Sequence, residues 1–379
     1  MENELKKCLL CRAPRCAKCP AKTDVRRVIE LVRAGKVQEA GAILFDDNPL
    51  SAITGAVCPN HLFCKGGCVK GVDFGVIERE VSRGFLESNT PPRFSGHPFI
   101  LKGNILIIGS GPAGLSLSYY MAKAGYKVSV WEKEEKLGGM LRYGIPDFRL
   151  DKSLIDKIVA VLESVGVEFK AGAKVDLKNL PSGFDKIVLA IGAGVSRRLD
   201  VEGAGLVEYA LDFLKNSTTP SPTVPPLRHS KGNYIVIGAG NVAIDCALTA
   251  VEMGADSVNL CYRRDEAAMK AYPEELAHAR SKGVVFNYFY VPKKITKEGV
   301  LFENGEFKPA DKVIVAIGQG ALDLDDCTKI DSTPNGLIQT DEFRTNIENV
   351  YAIGDAVTGT STIIQVVAQA KEFARQITD

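Results

Sequence analysis

The spacing of apolar and polar positions divides the chain into regions of different character. Up to about residue 88 the apolar residues recur as on helices, most plainly in 25–34 and 37–44, between loops that carry cysteine. Residues 89–98, Asn-Thr-Pro-Pro-Arg-Phe-Ser-Gly-His-Pro, read as a linker. The pattern then changes to short, continuous apolar runs that end in glycine. Ile105–Ile108 and Tyr234–Ile237 each open a strand–turn–helix unit, and these two units are the only internal repeat. Similar runs at 187–192 and 313–318 return beside them, and 350–355 gives a last strand before a Ser/Thr-rich turn and a long helix. The Pro/Ser/Thr-rich stretch 217–226 reads as an exposed loop. These patterns predict an α/β fold with two Rossmann-like nucleotide-binding domains behind a helical domain. The expected boundaries are 1–98 for the helical domain, 99–200 and 323–379 for the two segments of the first nucleotide domain, and 201–322 for the second.

The first turn reads Gly109-Ser-Gly111-Pro-Ala-Gly114. In such a turn the first glycine permits the tight bend, the second lets a pyrophosphate approach the backbone, and the third allows close helix–strand packing. The helix N-terminus then faces the phosphates. Glu132 ends the next strand, 18 residues beyond Gly114, where a ribose-binding carboxylate belongs. A further glycine-rich approach, Leu137-Gly-Gly-Met140 and Gly144-Ile-Pro146, suits an extended cofactor such as FAD. Asp355 is a candidate partner for a flavin ribityl chain, and the helix start at Ser361-Thr362 for its ring. An Asp after a strand also serves as a simple cap.

The second turn is Gly238-Ala-Gly240-Asn241-Val242-Ala243, with alanine at the third position. Where an NAD enzyme usually places a carboxylate, this chain has Arg263 and Arg264. Guanidinium groups there can hold the 2′-phosphate of NADP. The alternative is a solvated arginine pair at a strand end.

Charge and composition remove several function classes. The formal net charge of +1 gives no reason to invoke nucleic acid or an anionic membrane surface. No apolar run is long enough to span a bilayer. The first residues lack the features of a signal peptide, so a cytoplasmic location is expected. In such a reducing compartment clustered cysteines point to metal ligation rather than disulfides. Seven of the ten cysteines lie before residue 69, spaced Cys8-x2-Cys11-x4-Cys16-x2-Cys19 and Cys58-x5-Cys64-x3-Cys68. Seven thiolates and one further donor fit two four-iron clusters. Structural zinc is the alternative, with His61 as a possible eighth ligand. A flavin favours clusters, because it accepts a hydride's two electrons together and passes them on singly.

These motifs, in this order, resemble the family of glutamate synthase small subunits and the N-terminal half of dihydropyrimidine dehydrogenase over essentially the whole length. Within it the chain is most similar to the short bacterial subunits that feed electrons to dihydropyrimidine dehydrogenase. The resemblance rests on Cys8–Cys11 through Cys19-Pro-Ala-Lys-Thr-Asp24, Val57–Cys68, Gly109–Gly114, Gly144–Leu150 and Gly238–Asp245. It implies two clusters with crossed ligation: Cys8, Cys11, Cys16 and Cys68 on one, Cys19, Cys58, Cys64 and Glu78 on the other. It also implies FAD contacts at Glu132, Lys133, Met140, Arg149, Gly354, Asp355 and Thr362, and NADP contacts at Arg263, Arg264 and Lys270. Lys270 would join the arginines if the intervening turn folds back. Two features depart from the family: two residues rather than three separate Cys16 from Cys19, and the return 283–312 is short.

The implied activity is NAD(P)H-dependent FAD and iron–sulfur electron transfer to a catalytic subunit like that of dihydropyrimidine dehydrogenase or glutamate synthase. Hydride would pass from NAD(P)H to the flavin without a side-chain acid or nucleophile. A thioredoxin-reductase-like enzyme would need a redox C-x2-C beside the flavin, which Cys246, Cys261 and Cys327 do not form. A nucleotide-binding metal redox sensor without turnover is the reading from a different class.

Overall fold

The computed structural model describes residues 1–88, 101–193, 195–218, 231–320 and 329–378. The expected linker 89–98 lies outside them, as does Cys327. The chain divides into two compact units. The first comprises Met1–Arg142, Phe148–Ala193 and Ala321–Asp379, and the second Tyr143–Asp147 and Gly194–Gly320.

The first unit opens with six helices: α1 (Glu2–Lys7), α2 (Val25–Arg33), α3 (Val37–Asp47), α4 (Ser51–Val57), α5 (Cys64–Gly67) and α6 (Phe74–Glu87). Asp24 caps α2 by accepting the Arg27 N–H at 3.0 Å. Val28, Ile29, Leu44, Ile77 and Val81 form the core between α2, α3 and α6, with Cys64 at its edge.

The first nucleotide fold continues with β1 (Asn104–Ile108), α7 (Pro112–Lys123), β2 (Lys127–Trp131), α8 (Met140–Tyr143), α9 (Ser153–Ser164), β3 (Glu168–Lys170) and β4 (Lys186–Leu189). Buried Ile and Leu on β1 make it a central strand. Its neighbours are β2 and β4, both parallel. After the second unit the chain returns as β15 (Val350–Ala352), which pairs with β4. The five strands run in the order β15-β4-β1-β2-β3. The strand order reverses at β1, so its glycine turn lies at the switch point where such sheets bind ligands. The short α13 (Asp355–Thr358) and long α14 (Ile363–Thr378) end the chain.

The helices sit on this fold through α3. Tyr119 on α7 donates to Asp46 at 2.9 Å, Tyr120 to the Asp47 carbonyl at 2.8 Å, and Lys371 on α14 to the Asp47 carboxylate at 3.0 Å. Phe45 and Tyr119 meet edge to face, 5.1 Å between centroids.

The second unit contains β5 (Val195–Ser196), β6 (Glu208–Tyr209), α10 (Ala210–Thr218), β7 (Asn233–Gly238), α11 (Asn241–Glu252), β8 (Ser257–Tyr262), α12 (Pro273–Ser281) and β9 (Val285–Tyr288). It continues through β10 (Pro292–Ile295), β11 (Gly299–Phe302), β12 (Phe307–Pro309), β13 (Lys312–Ala316) and β14 (Gln319–Gly320). Its main sheet, β6-β13-β7-β8-β9, repeats the first sheet's plan with β7 in the place of β1. The return between β9 and β13 forms an antiparallel sheet of three strands, β10 to β12. Ser217 and Thr218 belong to α10 rather than to the expected loop, because Leu214 and Phe213 bury the helix on its sheet. Most of that stretch lies outside the described residues.

Candidate functional site

The loops between the first helices gather the cysteines into two groups. Cys8, Cys11, Cys16 and Cys68 line one cavity, although Cys68 is 52 residues along from Cys16. Cys19, Cys58, Cys64 and Glu78 line another, with Thr54 and Ile364 beside them. All seven thiols are free of disulfides. Among the described residues no three His, Cys, Asp or Glu side chains converge as ligands of a single ion do. Burial pushes the Cys16 and Cys58 thiols up, and Cys64 to about 12. Ligation by iron would reverse that preference, because only the thiolate binds a metal. The Leu10 N–H points at the Cys8 sulfur, 3.5 Å away.

Glu78 is 7% exposed on α6. Its Oε1 accepts from Thr54 at 3.0 Å and Asn48 Nδ2 at 3.4 Å, while Oε2 takes neither bond. Burial lifts its carboxyl to about 8, against the opposing pull of those two hydrogen bonds. Asn48 is fixed in turn by the Leu50 N–H on its Oδ1 at 3.0 Å. The donor sets, four thiols in one cavity and three thiols with a carboxylate in the other, fit cluster ligation in kind and number.

In the first glycine turn each glycine is required for a different reason. Gly109 has φ +104°, and a Cβ there would meet the Ala190 carbonyl oxygen at 2.5 Å. A Cβ on Gly114 would stand 1.9 Å from the Gly109 carbonyl oxygen. A Cβ on Gly111 would meet nothing, so its backbone borders open space at the start of α7. Gly139 brings the second glycine-rich segment to the same point, since its Cβ would lie 2.8 Å from the Gly111 Cα.

Glu132 is buried and tied to this turn. Its Oε2 accepts from the Ser110 N–H at 2.8 Å and the Ser110 hydroxyl at 2.7 Å. The Ser110 hydroxyl also receives the Gly138 N–H at 3.0 Å. From the C-terminal segment, Gly354 reaches the start of α7: its Cβ would fall 2.9 Å from that of Ala113. Asp355 accepts from the Ser361 N–H at 3.1 Å and hydroxyl at 2.8 Å, as a cap does, and burial raises its carboxyl. Gln365 accepts both the N–H and hydroxyl of Thr362, at 3.1 and 2.7 Å. Lys133 and Met140 are exposed, and Arg149 is half-buried.

At the second turn, a Cβ on Gly238 would meet the Ala316 carbonyl oxygen at 2.3 Å, while Gly240 again faces open space. Asn241 Oδ1 accepts the Tyr272 N–H at 3.0 Å, and the Lys270 N–H donates to the Ala239 carbonyl at 3.0 Å. These bonds fold the 266–272 segment back against the turn. Val242 follows at the first turn of α11, half-buried. Arg263 and Arg264 are exposed at the end of β8. The nearby acids are engaged elsewhere: Asp265 caps Ala268, and Glu266 binds Arg280 at 2.6 Å. Among the described residues neither arginine has an ion-pair partner. Cys246 and Cys261 are buried separately, on α11 and β8.

Residues 103–372 match the model of the pyridine nucleotide-disulphide oxidoreductases. The chain belongs to that family. Residues 1–90 match a second model, dihydropyrimidine dehydrogenase domain II, 4Fe-4S cluster. The chain is therefore an NAD(P)H-dependent flavin oxidoreductase with an iron–sulfur domain. It is 32% identical to the NAD-dependent dihydropyrimidine dehydrogenase subunit PreT of Escherichia coli O157:H7, over 99% of this chain and 93% of that protein. It is 29% identical to the glutamate synthase [NADPH] small chain of Azospirillum brasilense, over 99% and 88%. Among solved structures, Mycobacterium tuberculosis FprA in complex with NADPH shares the fold with TM-score 0.58 and 20% identity, over 73% of this chain and 83% of that one. Lactococcus lactis thioredoxin reductase does so with TM-score 0.56 and 22% identity, over 73% and 97%.

Sequence reasoning missed Asn48, Thr54 and Ser110. The signal for Thr54 was present in the polar residues at 51, 54, 78 and 82, which interrupt faces of α4 and α6 that are otherwise apolar; Asn48, which ends α3, carries none. Ser110 carries no separate signal within a glycine turn.

Proposed function

We propose that the chain is the electron-input subunit of a two-part enzyme. It takes electrons from NAD(P)H and delivers them, through two four-iron clusters, to a catalytic subunit on another chain. The observation that carries this reading is the sorting of eight donors into two separate cavities. Bound FAD accepts an electron pair and gives it up one electron at a time, and bound clusters carry single electrons.

The chain's residues would divide the work as follows. Cys8, Cys11, Cys16 and Cys68 hold one cluster; Cys19, Cys58, Cys64 and Glu78 Oε2 hold the other. The Gly109–Gly114 turn and the α7 N-terminus take the FAD pyrophosphate, with Glu132 holding the turn and bordering the ribose. Gly354, Asp355 and Thr362 border the rest of the flavin, with Lys133, Met140 and Arg149 at its edge. Gly238, Gly240, Asn241 and Val242 take the nicotinamide nucleotide, and Arg263, Arg264 and Lys270 take the 2′-phosphate of NADP. The reading draws support from the names of the relatives, which are subunits of dihydropyrimidine dehydrogenase and of glutamate synthase.

The test is anaerobic mixing of the purified protein with NADPH. Flavin bleaching, followed by one-electron EPR signals in a protein with acid-labile sulfide, is the expected result. Stoichiometric zinc without labile sulfide would refute the cluster assignment.

A further inference from the structure

The two cysteine groups differ in what surrounds them. The second has Phe63, Phe74 and Ile364 among its lining. The first opens on a surface. Leu9 and Val69 beside it are 59% and 62% exposed, among the most exposed large apolar side chains described. Arg15 and Lys70 line the same cavity, Arg12 follows Cys11, and Lys18 lies against Gly67, next to Cys68; all four are exposed. Among the described residues none of these four cations forms an ion pair or a side-chain hydrogen bond. Neither 8–19 nor 64–70 contains a single acidic residue, in a chain whose net charge is only +1. Other lysines nearby are neutralised: Lys7 by Glu4, and Lys65 by Asp73 at 2.9 Å.

We propose that this face, with exposed Leu9 and Val69 among Arg12, Arg15, Lys18 and Lys70, docks an acidic one-electron acceptor protein over the first cysteine group. The inference rests on the cluster reading above and names the chemistry of the partner. Unpaired cations around a redox centre steer an acidic partner and set its orientation. Two exposed apolar side chains among them supply the desolvated contact that charge alone does not. A second copy of this chain would bring like charges together. Compensation of a negative cluster would explain cations, but exposed arginine and lysine are screened by water and salt, and it leaves Leu9 and Val69 unexplained.

The test uses the full chain loaded with FAD and iron, NADPH as donor, and two haem proteins of opposite charge as one-electron acceptors: acidic cytochrome b5 and basic cytochrome c. Each NADPH gives up two electrons, becoming NADP+ with release of one proton, and two haem irons go from ferric to ferrous. Cytochrome b5 should be the faster acceptor at low salt, with a rate that falls as salt rises. The double variant Arg12→Glu with Lys18→Glu should lower that rate about tenfold and raise the cytochrome c rate. Leu9→Ser with Val69→Ser should lower the cytochrome b5 rate at every salt concentration. In both variants iron content and stopped-flow flavin reduction by NADPH should match the parent protein. An unchanged cytochrome b5 rate in both iron-replete variants overturns the proposal, because electrons then leave elsewhere. Loss of iron from the charge variant with an unchanged rate in the apolar one also overturns it, in favour of compensation. A parent protein with FAD but no iron refutes the cluster reading instead, which separates the two failures.

Discussion

At the scale of single residues the sharpest conflict is at Glu78. A carboxyl lifted to about 8 by burial is disfavoured as an anion at neutral pH in the apoprotein and well suited to a cationic partner. Because its folded value lies above the ordinary 4.5, the protonated form is the one the fold favours. Stability from this group is therefore complete below about pH 4.5 and is lost as pH rises towards about 8. Apoprotein prepared by chelation under reducing conditions should lose a few kcal/mol (order of magnitude) in urea unfolding between about pH 5.5 and about pH 8. Glu78→Gln should flatten that dependence, and a slope equal to the parent's would remove Glu78 as its source. The arginines that follow β8 make the opposite case: charged groups at the surface that form no ion pair among the described residues. Arg263→Ala with Arg264→Ala should raise the NADPH Michaelis constant roughly tenfold or more and leave NADH use nearly unchanged. The assay is stopped-flow flavin reduction by each nucleotide. Faster reduction of the parent by NADH at equal low concentration would make the pair structural.

At the scale of elements the two glycine turns were legible because their chemistry is local. A strand, a turn that needs positive φ at Gly109 or Gly238, and a helix start are all written within about a dozen residues. The same locality yields a contrast within one turn. Gly114→Ala places a Cβ 1.9 Å from the Gly109 carbonyl oxygen and should destabilise the apoprotein fold itself. Gly111→Ala meets no protein atom, so the variant should melt like the parent without cofactor yet bind FAD at least tenfold more weakly. Equal FAD affinity in Gly111→Ala would mean that the pyrophosphate lies elsewhere. What was not legible depends on distant pairing. The β10–β12 sheet has strands of three or four residues, too short for a period to register. Residues 143–147 belong with the second unit although the residues on both sides belong to the first, a division no linear pattern marks. The Thr54–Glu78 hydrogen bond joins α4 to α6 across 24 positions, and each residue alone reads as an ordinary helical polar position. The cysteine grouping became legible only through the resemblance, because spacing offers no reason for Cys68 to join Cys8 rather than Cys64.

At the scale of the whole molecule the arrangement makes a counting argument possible. FAD stores two electrons and each four-iron cluster one, so a chain with one flavin and two clusters should hold about four electrons when fully reduced and about eight iron atoms. A single cluster would give about three electrons and four iron. Zinc in place of iron would leave about two electrons and no labile sulfide. Glu78→Ala sharpens the test, since among the described residues it removes the one carboxylate that lines the second group's cavity and leaves the four cysteines of the other untouched. Ile364 at the start of α14, two residues from Thr362, lines the cavity of the second group and not that of the first, so if Thr362 borders the flavin as proposed, the second group is the nearer. Impairing it should therefore interrupt the path rather than merely shorten the count. In Glu78→Ala, iron should fall towards about four and the electron count towards about three, with flavin content and flavin bleaching by NADPH retained. Reduction of the remaining cluster by NADPH should slow, while dithionite still reduces it. Unchanged iron and unchanged EPR of both clusters in Glu78→Ala would show that some other group completes the second site.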